Sequence, residues 1–304
     1  MSEKFWMTGL VPATFTPMHQ DGSLNLAQTA PIVERLVKHK IQSIFVCGTT
    51  GEGSSLSTAE RKATLEAYVT ASKGRIAAVA HVGHTALADA CDLAAHAQSI
   101  GAAAVSALPP FYMRPANVSE LVDNMAAIAA AAPKLPFYYY HIPGLSGVTL
   151  DMVEFLKQAG TRIPNLAGIK YTAPTLYEFQ SCAALEGGRY NMVFGVDEML
   201  LSGIASGAVG AVGSTYNLAP ALYHQIQAAF AQGDHAQAQR LQLLSAHMVE
   251  AVKKFRPLPA LKSMMKLTGI DCGPTRLPLV AMRDAEFNAL SKNLDALGFP
   301  QWMA

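Results

Sequence analysis

Nothing in this sequence approaches the ~20 consecutive apolar residues needed to cross a bilayer, although 51% of its 304 residues are hydrophobic. The apolar content therefore reads as a closed core and subunit contacts rather than a membrane anchor. Net charge is also nearly absent, with 23 Lys and Arg against 22 Asp and Glu and a formal balance of +1. No global field draws the chain to nucleic acid or an acidic membrane. Cysteine is scarce: Cys47, Cys91, Cys182 and Cys272 lie far apart without a C-x-x-C pair. They fit reduced, mostly buried thiols rather than a disulfide framework or a zinc site. Met1 to Trp6 lack the basic region and apolar core of an export signal, and no Ser/Gly-rich or charged tract between residues 20 and 298 serves as a linker. These absences predict a cytoplasmic protein, one structural unit, working on small molecules.

What is present is a repeated unit. Apolar runs at Leu10–Pro17, Ser43–Cys47, Ile76–Val82, Ala103–Leu108, Pro136–His141, Pro164–Thr172, Met192–Gly195 and Gly207–Gly213 read as strands. Helical patterns separate them, among them Leu26–Lys38, Ser57–Ser72, Ala86–Ile100, Val118–Ala132, Leu150–Gln158, Leu176–Leu185 and Met199–Ala205. Eight strands alternating with helices predict a parallel sheet closed into a (β/α)8 barrel over residues 1–218. Residues 219–304 read as helices, Ala219–Gln232, His235–Lys253, Pro259–Thr268 and Asp284–Leu297, in an extension packed within the same structural unit.

Barrels of this kind place their chemistry at the C-terminal strand ends, so candidates can be gathered by position. Lys170 ends the sixth strand. Burial there disfavours an ammonium and frees the amine to attack a carbonyl, unless the side chain merely snorkels to water. Gly48-Thr49-Thr50-Gly51-Glu52-Gly53 follows the second strand; its hydroxyls and backbone N–H groups make an anion cradle, or else a plain turn entering a helix capped at Ser57 or Thr58. In Tyr138-Tyr139-Tyr140 alternation sets Tyr138 and Tyr140 on one face, and Tyr140 and Lys170 end adjacent strands. Asp197 and Glu198 follow Gly195 at the seventh strand end, where carboxylates accept from polyol hydroxyls or cap the next helix. Ser214 follows the eighth strand. His81 and His84 lack metal-ligand spacing, and His81 reads as structural. An amine, a phenol and a carboxylate cradle with no metal and no cofactor suggest iminium chemistry on a 2-oxo acid.

Gly48-Thr49-Thr50-Gly51-Glu52, Tyr140-x-Ile142-Pro143, Gly168-Ile169-Lys170 and Gly213-Ser214-Thr215, in this order over roughly residues 8–270, resemble the dihydrodipicolinate synthase/N-acetylneuraminate lyase family of class I aldolases. The resemblance implies a homotetramer, Lys170 as the Schiff-base lysine, Tyr140 as the proton-transfer residue, Thr49 and Thr50 at the pyruvate carboxylate, and Gly51 among the substrate-binding residues. It also brings Tyr112, in Pro110-Phe111-Tyr112, near the site or near that of an adjacent subunit. The synthases of the family carry an arginine where this chain has Leu145, so a second carboxylate would be left unpaired there. Tyr140 through Val148 and Phe194-Gly195-Val196-Asp197-Glu198 are similar instead to the sialic acid lyases, which implies that Gly195, Asp197, Glu198 and Ser214 hold a hydroxylated tail, with Thr172 beside the bond that breaks. The expectation is reversible cleavage of N-acetylneuraminate to N-acetylmannosamine and pyruvate. A synthase, an aldolase for another 2-oxo sugar acid, and a non-catalytic sugar-acid binder stand as alternatives.

Overall fold

In the computed structural model, which describes residues 5–303, the apolar runs form eight short strands. They are β1 (Gly9–Pro12), β2 (Ser43–Val46), β3 (Ala77–His81), β4 (Ala104–Ala107), β5 (Phe137–His141), β6 (Leu166–Tyr171), β7 (Asn191–Phe194) and β8 (Gly210–Gly213). All pairings are parallel, in the order β1-β8-β7-β6-β5-β4-β3-β2. The sheet meets itself where Ala13 bridges Phe45 and the Thr14 N–H donates to the Phe45 carbonyl at 3.0 Å. A (β/α)8 barrel results, as the alternation predicts.

The helices that cross between strands are α1 (Thr29–Lys38), α2 (Thr58–Ser72), α3 (Leu87–Ser99), α4 (Val118–Ala130), the single turn α5 (Pro143–Ser146), α6 (Met152–Arg162), α7 (Leu176–Ala184) and α8 (Leu200–Ala205). Helices α9 (Pro220–Ala231), α10 (His235–Lys253), α11 (Pro257–Met264), α12 (Asp284–Ala296) and α13 (Pro300–Met303) follow. The single turns α5 and α13 have no periodicity long enough to be read from sequence. Helix α11 begins two residues before the expected Pro259, since Pro257 suits the first helical position. Residues 269–283 form neither helix nor strand, yet they return to the barrel, where the Met18 N–H donates to the Cys272 carbonyl at 3.0 Å.

Two apolar layers hold this arrangement. Inside the barrel, Met7, Val11, Phe45, Val79, Tyr138, Tyr140, Ala167, Val193 and Val212 make one cluster. Outside it, strand side chains such as Tyr139 and Ile169 pack under the helices in a larger one. The alternation expected in the tyrosine run is thus present. In β6 simple alternation from the inward Ala167 would turn Lys170 outward. A register slip corrects this: Phe137 pairs with Leu166 but Tyr138 pairs with Gly168, so the inner face passes to Lys170. Only glycine fits at the slip, because a Cβ on Gly168 would lie 1.9 Å from the Asn191 carbonyl oxygen.

Among the described residues the four cysteines are free, three of them buried, and no helix is long and apolar enough to cross a membrane.

Candidate active site

Tyr140 and Lys170 are direct partners across β5 and β6. Each sits one residue before its strand end rather than at it, since the ladder runs on through the Thr172 N–H to the His141 carbonyl at 2.8 Å. The Lys170 side chain is buried, with Nζ 3.3 Å from the centre of the Tyr140 ring and 5.1 Å from that of Phe45. It donates a hydrogen bond to Thr172 Oγ1 at 3.4 Å. Burial drives the amine well below the ordinary lysine pKa, and the Asp197 carboxylate pulls weakly the other way. The unprotonated, nucleophilic form is therefore more accessible than for an exposed lysine, and with the side chain buried the snorkelling alternative does not apply.

Tyr140 is held by its neighbours. Phe45 and His81 meet its ring edge-on at 5.8 and 5.7 Å, and its hydroxyl lies 3.3 Å from Thr49 Oγ1. Burial pushes the phenol up to about 12, against hydrogen bonds from Thr49 and Thr172. It stays protonated and can pass a proton. His81 is buried and kept far below the usual histidine range by that burial and by Arg61, which makes it a neutral packing partner, as its sequence setting suggested.

A cavity of about 220 Å3 surrounds these groups. Thr49, Thr50, Thr172, Gly195, Asp197 and Ser214 all line it with Lys170 and Tyr140. Thr50 and Ser214 share a hydrogen bond of 2.6 Å, which ties the β2 loop to the β8 loop. Asp197 Oδ2 accepts from the Thr215 N–H at 2.9 Å and from its hydroxyl at 2.6 Å. Burial lifts this carboxyl to about 6, with the Thr215 bonds opposing. Gly213 makes room for it, since a Cβ there would fall 1.9 Å from Asp197 Oδ1.

Three expected residues fall outside the cavity wall. Gly51 lies behind it, its carbonyl accepting from the Thr16 hydroxyl at 2.7 Å. Glu198 turns away to Lys253, whose Nζ donates to it at 2.9 Å, so of the two consecutive carboxylates only Asp197 faces inward. Tyr112 is 80% exposed on the loop after β4 and does not line the cavity. A larger cavity of about 440 Å3 adjoins the first, sharing Thr49 and Ile142, and it contains Leu145 but not Lys170. The helix-cap reading of the β2 loop is borne out, since Ser57 forms a capping box with Glu60 at the start of α2. Among the described residues no group of three or more His, Cys, Asp or Glu side chains is placed to hold a metal.

Part of the wall was not legible beforehand. Pro257, Leu258 and Leu261 close one side of the cavity from α11. Their spacing is that of an apolar helix face, but nothing local tells such a face that it meets the barrel mouth rather than another helix.

The model of the dihydrodipicolinate synthetase family matches residues 6–297. The chain belongs to this family. Within it, N-acetylneuraminate lyase A of Xenopus laevis is 42% identical over 277 residues, 90% of each chain. The solved structure of Proteus mirabilis N-acetylneuraminate lyase superposes with a TM-score of 0.95 at 38% identity, over 97% of this chain and all 100% of that one. A structure named as the catalytic lysine mutant of Ruminococcus gnavus sialic acid aldolase superposes at 0.92 with 26% identity, covering 99% of this chain and 98% of that one.

Proposed function

We propose that this protein is a lysine-dependent aldolase that cleaves N-acetylneuraminate reversibly to N-acetylmannosamine and pyruvate. The observation that carries the reading is a buried amine, depressed in pKa, stacked 3.3 Å over the ring of a protonated phenol inside a cavity that ends in two threonines and a carboxyl. Relatives named for this lyase, and one named for its catalytic lysine, support the same choice.

In this reading Lys170 Nζ adds to C2 of the open-chain substrate, and loss of water gives an iminium. Thr49 and Thr50 hold the C1 carboxylate. Tyr140 relays a proton, handing its own O–H proton to the C1 carboxylate as it accepts the one from the C4 hydroxyl; the C3–C4 bond breaks, its electrons moving to the iminium to form an enamine while the C4 oxygen becomes the aldehyde carbonyl. Tyr140 returns the proton to C3 and hydrolysis frees pyruvate. Gly195, Asp197 and Ser214 accept the hydroxylated tail. Leu145 weighs against a synthase, because it offers no charge to a second carboxylate in the adjoining cavity.

The reading extends to a homotetramer in the cytoplasm. Tyr112, Met113 and Leu277, each 78–80% exposed, are apolar surface that subunit contact would cover, and four free thiols suit a reducing compartment. Sedimentation at four chains checks the first point.

The test of the activity is incubation with pyruvate and borohydride followed by peptide mapping. A mass increase on Lys170, lost in Lys170→Ala together with turnover of N-acetylneuraminate, is the expected result. A Lys170→Ala protein with wild-type turnover refutes the mechanism.

A further inference from the structure

The turn that carries Thr49 and Thr50 is gripped from outside the barrel. Glu52 has a left-handed backbone at φ 55°, its N–H donating to the Thr49 carbonyl at 3.0 Å and its carbonyl accepting from the Ser55 N–H at 2.7 Å. Its carboxylate is not part of the cavity wall, and the side chains of Glu52 and Lys262 are 0% and 1% exposed. Both carboxylate oxygens are used: Oε1 accepts from Lys262 Nζ at 2.7 Å, and Oε2 accepts from the Arg276 backbone N–H at 2.8 Å. Lys262 Nζ donates again to the Pro274 carbonyl at 2.7 Å. One buried carboxylate therefore fastens the turn to α11 and to the irregular segment beyond it.

A buried ion pair contributes little net stability, because desolvation offsets most of the attraction and an apolar pair of similar volume often serves as well. Its short, charge-assisted hydrogen bonds do impose direction. Here the direction matters at two places at once. On one side of Glu52 lie the threonines of the cavity; one residue before Lys262 on α11 lies Leu261, which lines the same cavity.

We infer that Glu52 and Lys262 are positioning residues for the substrate carboxylate: their buried pair fixes the Thr49–Thr50 turn, and with it the α11 wall, in the geometry that seats the carboxylate of a 2-oxo acid above Lys170. The inference rests on the pyruvate reading above. It separates carboxylate recognition from amine reactivity, since neither residue touches Lys170.

The experiment compares two carbonyl compounds in borohydride trapping at Lys170: pyruvate, and acetone, which keeps the ketone and drops the carboxylate. The variant is Glu52→Gln with Lys262→Met, which removes both charges and leaves neither stranded. The expected result is a half-saturating pyruvate concentration raised about tenfold or more, since small misplacements of a binding group are costly, with acetone trapping at Lys170 unchanged. Equal loss with both compounds means that the pair only supports the fold, and unchanged trapping of both means that it does nothing for the site; either overturns the inference. Absence of a pyruvate adduct in the unmodified protein instead overturns the underlying aldolase reading. A second arm needs no variant. Reduced pyruvate on Lys170 should slow amide exchange at Arg276, whose N–H donates to Glu52 from outside the cavity wall, and unaltered exchange there overturns the coupling.

Discussion

Replacing Tyr140 by Phe isolates proton transfer from everything else this tyrosine does. The ring that covers Lys170 at 3.3 Å and packs against Phe45 and His81 is retained, so the amine keeps its surroundings. What is lost is a hydroxyl 3.3 Å from Thr49 Oγ1, a long hydrogen bond, together with its bond to Thr172. Thr49 is exposed, so its hydroxyl rehydrates, and the half-buried Thr172 still accepts from Lys170 Nζ, so no buried group is stranded. The stability cost should therefore stay at or below about 1 kcal/mol, a shift in Tm of no more than about 3 °C for a chain of this size. The rate cost is set by different physics. A positioned acid–base group contributes about 10²- to 10⁴-fold, which corresponds to roughly 3–5 kcal/mol of barrier. The expectation is a kcat for N-acetylneuraminate cleavage reduced by about two to four orders of magnitude, with the pyruvate adduct on Lys170 still trapped. Pyruvate release followed through lactate dehydrogenase and NADH reads the first quantity, and peptide mapping the second. A kcat within about tenfold of wild type, in a protein that unfolds normally, would remove Tyr140 from the proton path and refute the reasoning.

Three further outcomes follow from the same geometry. The Asp197 carboxylate favours the Lys170 ammonium, so Asp197→Asn should lower the lysine pKa further and move the acid limb of pyruvate trapping to lower pH; a limb that stays put or moves to higher pH contradicts the electrostatics. Arg276 holds the Glu60 carboxyl down at about 2, below its ordinary 4.5, so its contribution to stability is present above 4.5 and is lost as pH falls toward 2. In urea titrations the gap between wild type and Glu60→Gln should close over that window, and a gap independent of pH would show that the ion pair is not its source. Leu145→Arg places a cation in the adjoining cavity from a position already 67% exposed, so folding should be unaffected while kcat/KM for the sugar acid falls about tenfold (~1.4 kcal/mol). An unchanged kcat/KM would mean that a cation at this position does not influence the bound substrate.

How legible the site was depended on whether position along a strand sufficed. Lys170, Tyr140, Thr49, Thr50 and Ser214 are close because strand ends in a parallel barrel converge on one mouth, a rule of topology that needs no coordinates. Glu198 fails the same rule because it belongs to the turn after β7, where Asp197 faces in and Glu198 faces Lys253 on α10. Adjacent residues in a turn diverge, and the spacing of two carboxylates says nothing about which of them turns inward. Tyr112 lies on a long loop with no periodicity to fix its direction. The α11 wall and the Glu52–Lys262 pair were invisible for another reason: the partners are 210 residues apart, and no local pattern encodes a contact of that range.

By itself the sequence determined the eight alternating units, the barrel they close, the lysine and tyrosine on neighbouring strands and the threonine turn beside them. Hydrophobic period and turn chemistry are local, and strand order in such a barrel follows chain order. Tertiary structure alone decided that the slip at Gly168 turns Lys170 inward, that burial lowers the pKa of its amine, and that a distant lysine anchors the turn that faces it. These depend on register, desolvation and long-range pairing, which exist only once the chain has closed on itself.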